Sequence, residues 1–151
     1  MRWRSGAIAA AALTAATAGE AQNGRVAQDF CNALNQMVQV AQMDGDFELV
    51  ERSRAAPPHF GFRHGCRAHR ATERLPAAWW CHQNLAPEEL SLNSLAARTA
   101  ACLPSAARSR GRWGGEAIFT LPRARIVIDQ SGGPRAHVGR IVTFRVEAVR
   151  P

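Results

Sequence analysis

The sequence predicts an α+β fold in which two helices pack on a mostly antiparallel sheet, in the order α-β-β-β-α-β-β-β, with two disulfide bonds. Three observations predict it. Apolar residues recur at helical spacing in two separate segments, β-rich segments divided by turn residues fill most of the remainder, and the four cysteines form an even set.

The N-terminal segment, residues 1–21, has the pattern of a secretory signal peptide. Arg2 and Arg4 precede an apolar run that is much shorter than the roughly 20 residues of a membrane-spanning helix. Small residues at alternate positions follow, so cleavage is expected after Ala18 or Ala21. We therefore expect a single small domain, residues 22–151, that has no membrane span and is periplasmic or secreted.

The first predicted helix covers residues 24–42, where apolar residues recur every three or four positions and include Cys31. Asp44-Gly45-Asp46 ends it, since glycine adopts the left-handed cap conformation at low cost. Residues 47–52 are then predicted to form a short strand, which Ala55-Ala56-Pro57-Pro58 interrupts.

Residues 60–71 and 77–83 are rich in aromatic residues and cysteine, and the turn at 73–76 separates them, so they predict two paired strands. A second helix is predicted from Pro87 to Pro104. Proline suits the first helical position, and the two glutamates after it complement the helix dipole.

Residues 105–115 are rich in Arg, Ser and Gly and are predicted to form a mobile loop. The remainder of the chain predicts β-structure. Its three strands cover residues 117–121, 125–129 and 138–149, with a turn at 131–134 between the last two. The third shows the alternation of a strand with one solvated face.

Two disulfides are expected in an exported chain with four cysteines, and three pairings of them exist. Cys66 and Cys81 lie on the two strands of a predicted hairpin, which favours their pairing and leaves Cys31 and Cys102 to join the helices. Pairing of Cys31 with Cys66 and of Cys81 with Cys102 remains open.

The chain is basic, with a net charge of +7. Every basic residue is arginine, and these arginines are scattered along the chain rather than gathered in one block. The pattern is typical of a generally basic, solvated surface, so we do not expect nucleic acid as the partner.

A cluster of potential metal ligands lies in the middle of the chain: His59, His64, Cys66, His69, Cys81 and His82. Its spacing matches no usual zinc motif, and we expect the cysteines to be oxidised, so neither a metal nor another cofactor is expected. The alternative is a ribonuclease-like phosphodiester hydrolase. His64 or His69 would then work with His82 as acid and base, beside Arg63 or Arg67.

The segment with Arg108, Arg110, Arg112 and Trp113 is the predicted binding contact, because it combines guanidinium groups with an aromatic platform suited to anions. Trp79 and Trp80 are adjacent and on a strand would point to opposite faces. One would lie in the core, and the other would be covered or would serve as an anchor for a partner.

No nucleotide-binding, nucleophile-elbow, haem or dithiol-redox motif is present in the sequence. We therefore expect a binding module of inhibitor, immunity or envelope-assembly type rather than an enzyme. Its expected partner is another envelope or secreted protein, and an anionic ligand also fits the charge.

Overall fold

The computed structural model describes residues 14–53, 57–112, 114–133 and 139–150. The helices of this part are α1 (Thr14–Met43), α2 (Phe47–Ser53), a 3₁₀ turn (Glu88–Leu90) and α3 (Leu92–Cys102). Its strands are β1 (Cys66–His69), β2 (Ala78–Gln83), β3 (Ala107–Arg110), β4 (Glu116–Leu121), β5 (Ala124–Ser131) and β6 (Ile141–Ala148). The predicted α+β class is confirmed.

The strands form one antiparallel sheet in the order β1-β2-β6-β5-β4-β3. Helices α1 and α3 contact each other and the central strands, and α2 contacts β1. The core lies between the helices and one sheet face, where its largest side chains are fully buried: Leu34, Met37, Trp79, Leu95, Phe119, Ile126, Ile128, Phe144 and Val146. The opposite side of the sheet, here called the open face, carries the alternate residues of each strand.

Both disulfides follow the favoured pairing. Cys66 and Cys81 are directly opposed on β1 and β2, with their Cα atoms 4.1 Å apart. Cys31 and Cys102 join α1 to α3 across a Cα–Cα distance of 5.1 Å. The hairpin and the helix pair are each held covalently.

The N-terminal half of the expected signal peptide, including Arg2 and Arg4, lies outside the described residues. Both expected cleavage sites, at Ala18 and Ala21, fall within the backbone of α1. As predicted, Asp44-Gly45-Asp46 ends α1, whose last residue is Met43: Gly45 has a φ of +66°, and its N–H donates to the Val40 carbonyl at 2.9 Å. No helix in the described ranges is long and apolar enough to cross a membrane.

The strand predicted at residues 47–52 is wrong, because this segment is the helix α2. The Asp46 carboxylate accepts from the Leu49 N–H at 3.3 Å and so caps the first turn. Phe47 and Val50 are buried one turn apart, and this helical spacing decides the conformation. The neighbouring Ala55 and Ala56 lie outside the described residues.

The second predicted helix is interrupted near its start. Only Glu88–Leu90 form a 3₁₀ turn, and Ser91 is extended, with a φ of −62° and a ψ of 157°. The Ser91 hydroxyl accepts from the Ser94 N–H at 3.3 Å, so the α-helix begins at Leu92 instead of Pro87.

The predicted strands at 60–71 and 138–149 are shorter than expected. Turns occupy residues before Cys66, and β6 begins at Ile141. The loop predicted at 105–115 is also partly wrong, because residues 107–110 form β3 and pair with β4. All four β3 residues are exposed, so backbone pairing rather than burial holds this strand.

Candidate functional site

The open face bears the outward side chains of β1 and β2 at one end of the sheet. The two tryptophans separate as predicted: Trp79 is fully buried, and its indole N–H donates to the Pro58 carbonyl at 2.9 Å. Trp80 is half-buried on the open face. Strand alternation therefore places one large aromatic ring where a partner can reach it.

A pocket of about 260 Å³ surrounds this ring and is here called the Trp80 pocket. The strand register creates it, since Arg67 is directly opposite Trp80 and His69 directly opposite Ala78. The pocket is lined by His64, Gly65, Arg67, His69, Trp80 and His82. Three of the four histidines considered from sequence thus converge with Arg67 at one site.

Neighbouring side chains orient the groups of the pocket. The His69 ring centroid is 4.6 Å from that of Trp80, and the Arg145 guanidinium carbon is 5.5 Å from the Trp80 ring. The two His82 ring nitrogens are 3.3 Å from the Thr143 hydroxyl and 3.1 Å from the Asn84 side-chain oxygen. His82 is therefore fixed through both of its nitrogens.

The remaining members of the predicted cluster lie elsewhere. Cys66 and Cys81 are bonded to each other and cannot act as thiolate ligands. His59 lies on the helix side of the sheet, beside Phe30, and its Nδ1 accepts from the Gly61 N–H at 3.1 Å. Within the described ranges, no three His, Cys, Asp or Glu side chains are placed to hold a metal ion. Arg63 is outside the lining of the Trp80 pocket.

The ionisable side chains that line the Trp80 pocket are all basic. Its lining contains no carboxylate, and Arg67 forms no ion pair within the described part of the chain. An arginine without a carboxylate partner retains its capacity to bind an added anion through paired N–H donors. The pocket therefore suits an anionic group that lies against an apolar surface.

The centre of the open face is, by contrast, internally paired. Glu147 is 3% exposed and accepts from Arg125 Nε at 2.8 Å, while Arg145 donates to Asp129 at 2.8 Å. Burial raises the pKa of Glu116, and the negative charge of Asp129 raises it further. Arg125 and Arg145 therefore pair with Glu147 and Asp129, whereas Arg67 of the Trp80 pocket forms no ion pair within the described ranges.

The arginines of the predicted binding contact lie on β3 and in the turn after it. Arg108 and Arg110 are exposed on β3, and Arg112 is exposed in the turn that follows. The Arg108 guanidinium carbon lies 5.6 Å from the ring of Phe119. Trp113, the predicted aromatic platform, lies outside the described residues.

Arg145, Thr143 and Asn84 also support the Trp80 pocket, and none of the three was predicted from the sequence. Arg145 and Thr143 occupy outward positions of β6, and the alternation of residues 142–148 in the sequence already indicated that they face outward.

Comparison of the chain with protein-family models, with curated proteins and with solved structures gave no match.

Proposed function

We propose that this protein is an exported binding module that holds an anionic group of a partner protein in the Trp80 pocket. The observation that carries the proposal is the composition of that pocket: a half-buried tryptophan, Arg67 and three histidines, with no carboxylate in the lining. Tryptophan and arginine are among the residues that most often dominate binding energy at protein interfaces.

Export is supported by the signal-peptide pattern of residues 1–21 and by the two disulfides, which are typical of oxidising compartments. Rigidity also supports a binding role. The Cys66–Cys81 bond lies beneath the hairpin that carries the pocket, so the lining residues are held in place before a partner arrives.

The test compares phenyl phosphate, which combines an anionic group with an aromatic ring, with inorganic phosphate and phenol, which carry one of these groups each. NMR titration would follow the Trp80 indole N–H and the ring protons of the histidines. We expect phenyl phosphate to bind more tightly than either fragment, because it meets the basic groups and the apolar wall together. Binding no tighter than that of phenol, or shifts that avoid Trp80, would overturn the proposal.

Arg67→Ala should weaken binding of phenyl phosphate by about fivefold, the usual scale for loss of one exposed charge pair. Arg74→Ala is the matched control, because Arg74 is exposed on the turn of the same hairpin and is outside the pocket lining. An equal loss in both variants would indicate attraction by net charge alone.

A second candidate function is phosphodiester hydrolysis, and the convergence of His64, His69 and His82 with Arg67 favours it. Two histidines could exchange protons with the attacking hydroxyl and the leaving group while the arginine stabilises the phosphorane. A ribodinucleotide should then be cleaved, and His82→Ala should lower the rate by about a hundredfold or more. Absence of cleavage by the wild-type protein, with phenyl phosphate still bound, would leave the binding module.

A further inference from the structure

We propose that the free edge of β3 binds an extended acidic segment of another protein as an added strand of the sheet. The site consists of the backbone and side chains of Arg108 and Arg110. It lies at the opposite end of the sheet from β1 and β2, which carry the Trp80 pocket, so it is independent of the function proposed above.

The backbone of β3 has free hydrogen-bonding groups at defined positions. The Gly111 N–H donates to the Glu116 carbonyl at 3.0 Å, and Arg110 is opposite Ala117, so Gly111 and Glu116 form a hydrogen-bonded pair. Because hydrogen-bonded and non-hydrogen-bonded pairs alternate in antiparallel sheets, Ser109 is bonded to β4 and Arg108 and Arg110 are not. The N–H and C=O groups of these two arginines therefore point away from β4.

The side chains of Arg108 and Arg110 place positive charge at the same two positions that have free backbone groups. Arg108 and Arg110 share a face with their partners Phe119 and Ala117, and successive residues on one face of a strand are about 6.8 Å apart. Both are exposed and form no ion pair within the described ranges. Contact with Phe119 positions the Arg108 guanidinium above an apolar ring.

An incoming strand that hydrogen-bonds to Arg108 and Arg110 would place its directly opposed residues on the same face as the guanidinium groups. Glutamate or aspartate at every second position would satisfy both, so one short segment would gain backbone bonds and charge-assisted contacts together. This is strand addition at a sheet edge with specificity set by alternate side chains.

Charge also excludes a second copy of this chain as the occupant. Two β3 edges would oppose arginine to arginine, and charged edge residues are a common means of preventing such self-association. The other sheet edge is different, because α2 contacts β1 and Glu48 of α2 accepts from Arg70, just after β1, at 2.8 Å. Helix α2 thus lies against β1, whereas all residues of β3 are exposed, so the β3 edge is the one that an acidic segment fits.

The test is fluorescence anisotropy of a labelled peptide that alternates glutamate with valine. Two control peptides separate the contribution of charge from that of backbone hydrogen bonds. One has lysine in place of glutamate, and the other keeps the glutamates but carries N-methyl groups on the residues that must hydrogen-bond to β3. We expect only the parent peptide to bind, with new protection of the Arg108 and Arg110 amides from hydrogen exchange.

Substitution of Arg108→Ala together with Arg110→Ala should weaken peptide binding by at least about tenfold. The matched control, Arg74→Ala with Arg150→Ala, removes the same charge at two exposed positions outside both β3 and the Trp80 pocket and should change the affinity by less than about twofold. Equal binding of the N-methylated peptide would show attraction by charge alone, and equal loss in the control would show non-specific attraction. Either result would overturn the proposal and leave the Trp80 pocket unaffected.

Discussion

Removing the two disulfides separately should destabilise the protein by different amounts, because they close loops of different length. The Cys31–Cys102 bond spans 71 residues of sequence and the Cys66–Cys81 bond spans 15. A crosslink stabilises chiefly by restricting the unfolded chain, and this contribution grows with the logarithm of loop length. The longer loop should contribute about 4.4 kcal/mol and the shorter about 3.0 kcal/mol to the free energy of unfolding.

The difference between them is one and a half times RT multiplied by the natural logarithm of 71/15, or about 1.4 kcal/mol. The first variant would combine Cys31→Ala with Cys102→Ala, since both residues are half-buried. The second would combine Cys66→Ala with Cys81→Val, because Cys81 is fully buried and valine refills the space on a strand.

Urea unfolding of both variants would be followed by tryptophan fluorescence, for which the buried Trp79 is a core reporter. The unfolding slope must also be compared, because loss of a crosslink exposes more surface in the unfolded chain. Equal destabilisation, or a larger loss for the short loop, would refute the account based on chain entropy and indicate that native-state contacts of each bond dominate.

Three further predictions concern stability. Because the pKa of Glu116 is raised above its ordinary value of 4.5, the folded state binds a proton at this residue more tightly than the unfolded chain does. Glu116 should therefore lower the free energy of unfolding as the pH rises above 4.5. Glu116→Gln should flatten that decline in urea titrations from pH 4.5 upward, and an unchanged pH slope would exclude Glu116 as its source. Leu34→Ala should cost about 3 kcal/mol because Leu34 is fully buried, whereas Leu49→Ala, at a residue that is 58% exposed, should cost less than about 0.5 kcal/mol. Similar urea midpoints for the two would contradict the described core. Ser91→Ala should cost about 1 kcal/mol through loss of the cap on α3, and far-ultraviolet circular dichroism during unfolding would detect it. Ser94→Ala is the control, because it keeps both the Ser91 hydroxyl and the backbone N–H that donates to it, and an equal loss in the two variants would argue against the cap.

The pattern of residues close in sequence was sufficient to predict much of the fold. The favoured disulfide pairing followed from placing Cys66 and Cys81 on one hairpin, and the separation of Trp79 from Trp80 followed from strand alternation alone. Both depend on residues that are close in sequence. Similarly, Gly45 ended α1 through its own backbone preference.

The errors arose where tertiary contacts decide conformation. In residues 47–52 the apolar residues fit a short strand or a helical turn, and burial of Phe47 with Val50 selects the helix. β3 has no apolar stripe, so nothing in its composition distinguished a paired strand from a loop. The position of β6 between β2 and β5 was not accessible from local pattern either, and the support that Arg145 gives to the Trp80 pocket depends on it.

The central position of β6 also bears on when the sheet can close. Among the described strands it follows the other five in sequence, yet it is the one that connects the β1–β2 hairpin to the β3–β4–β5 meander. A chain that emerges N-terminus first therefore cannot complete its sheet until residues 141–148 are available. Under the export proposed above, that order would delay closure of the sheet until synthesis has passed this strand.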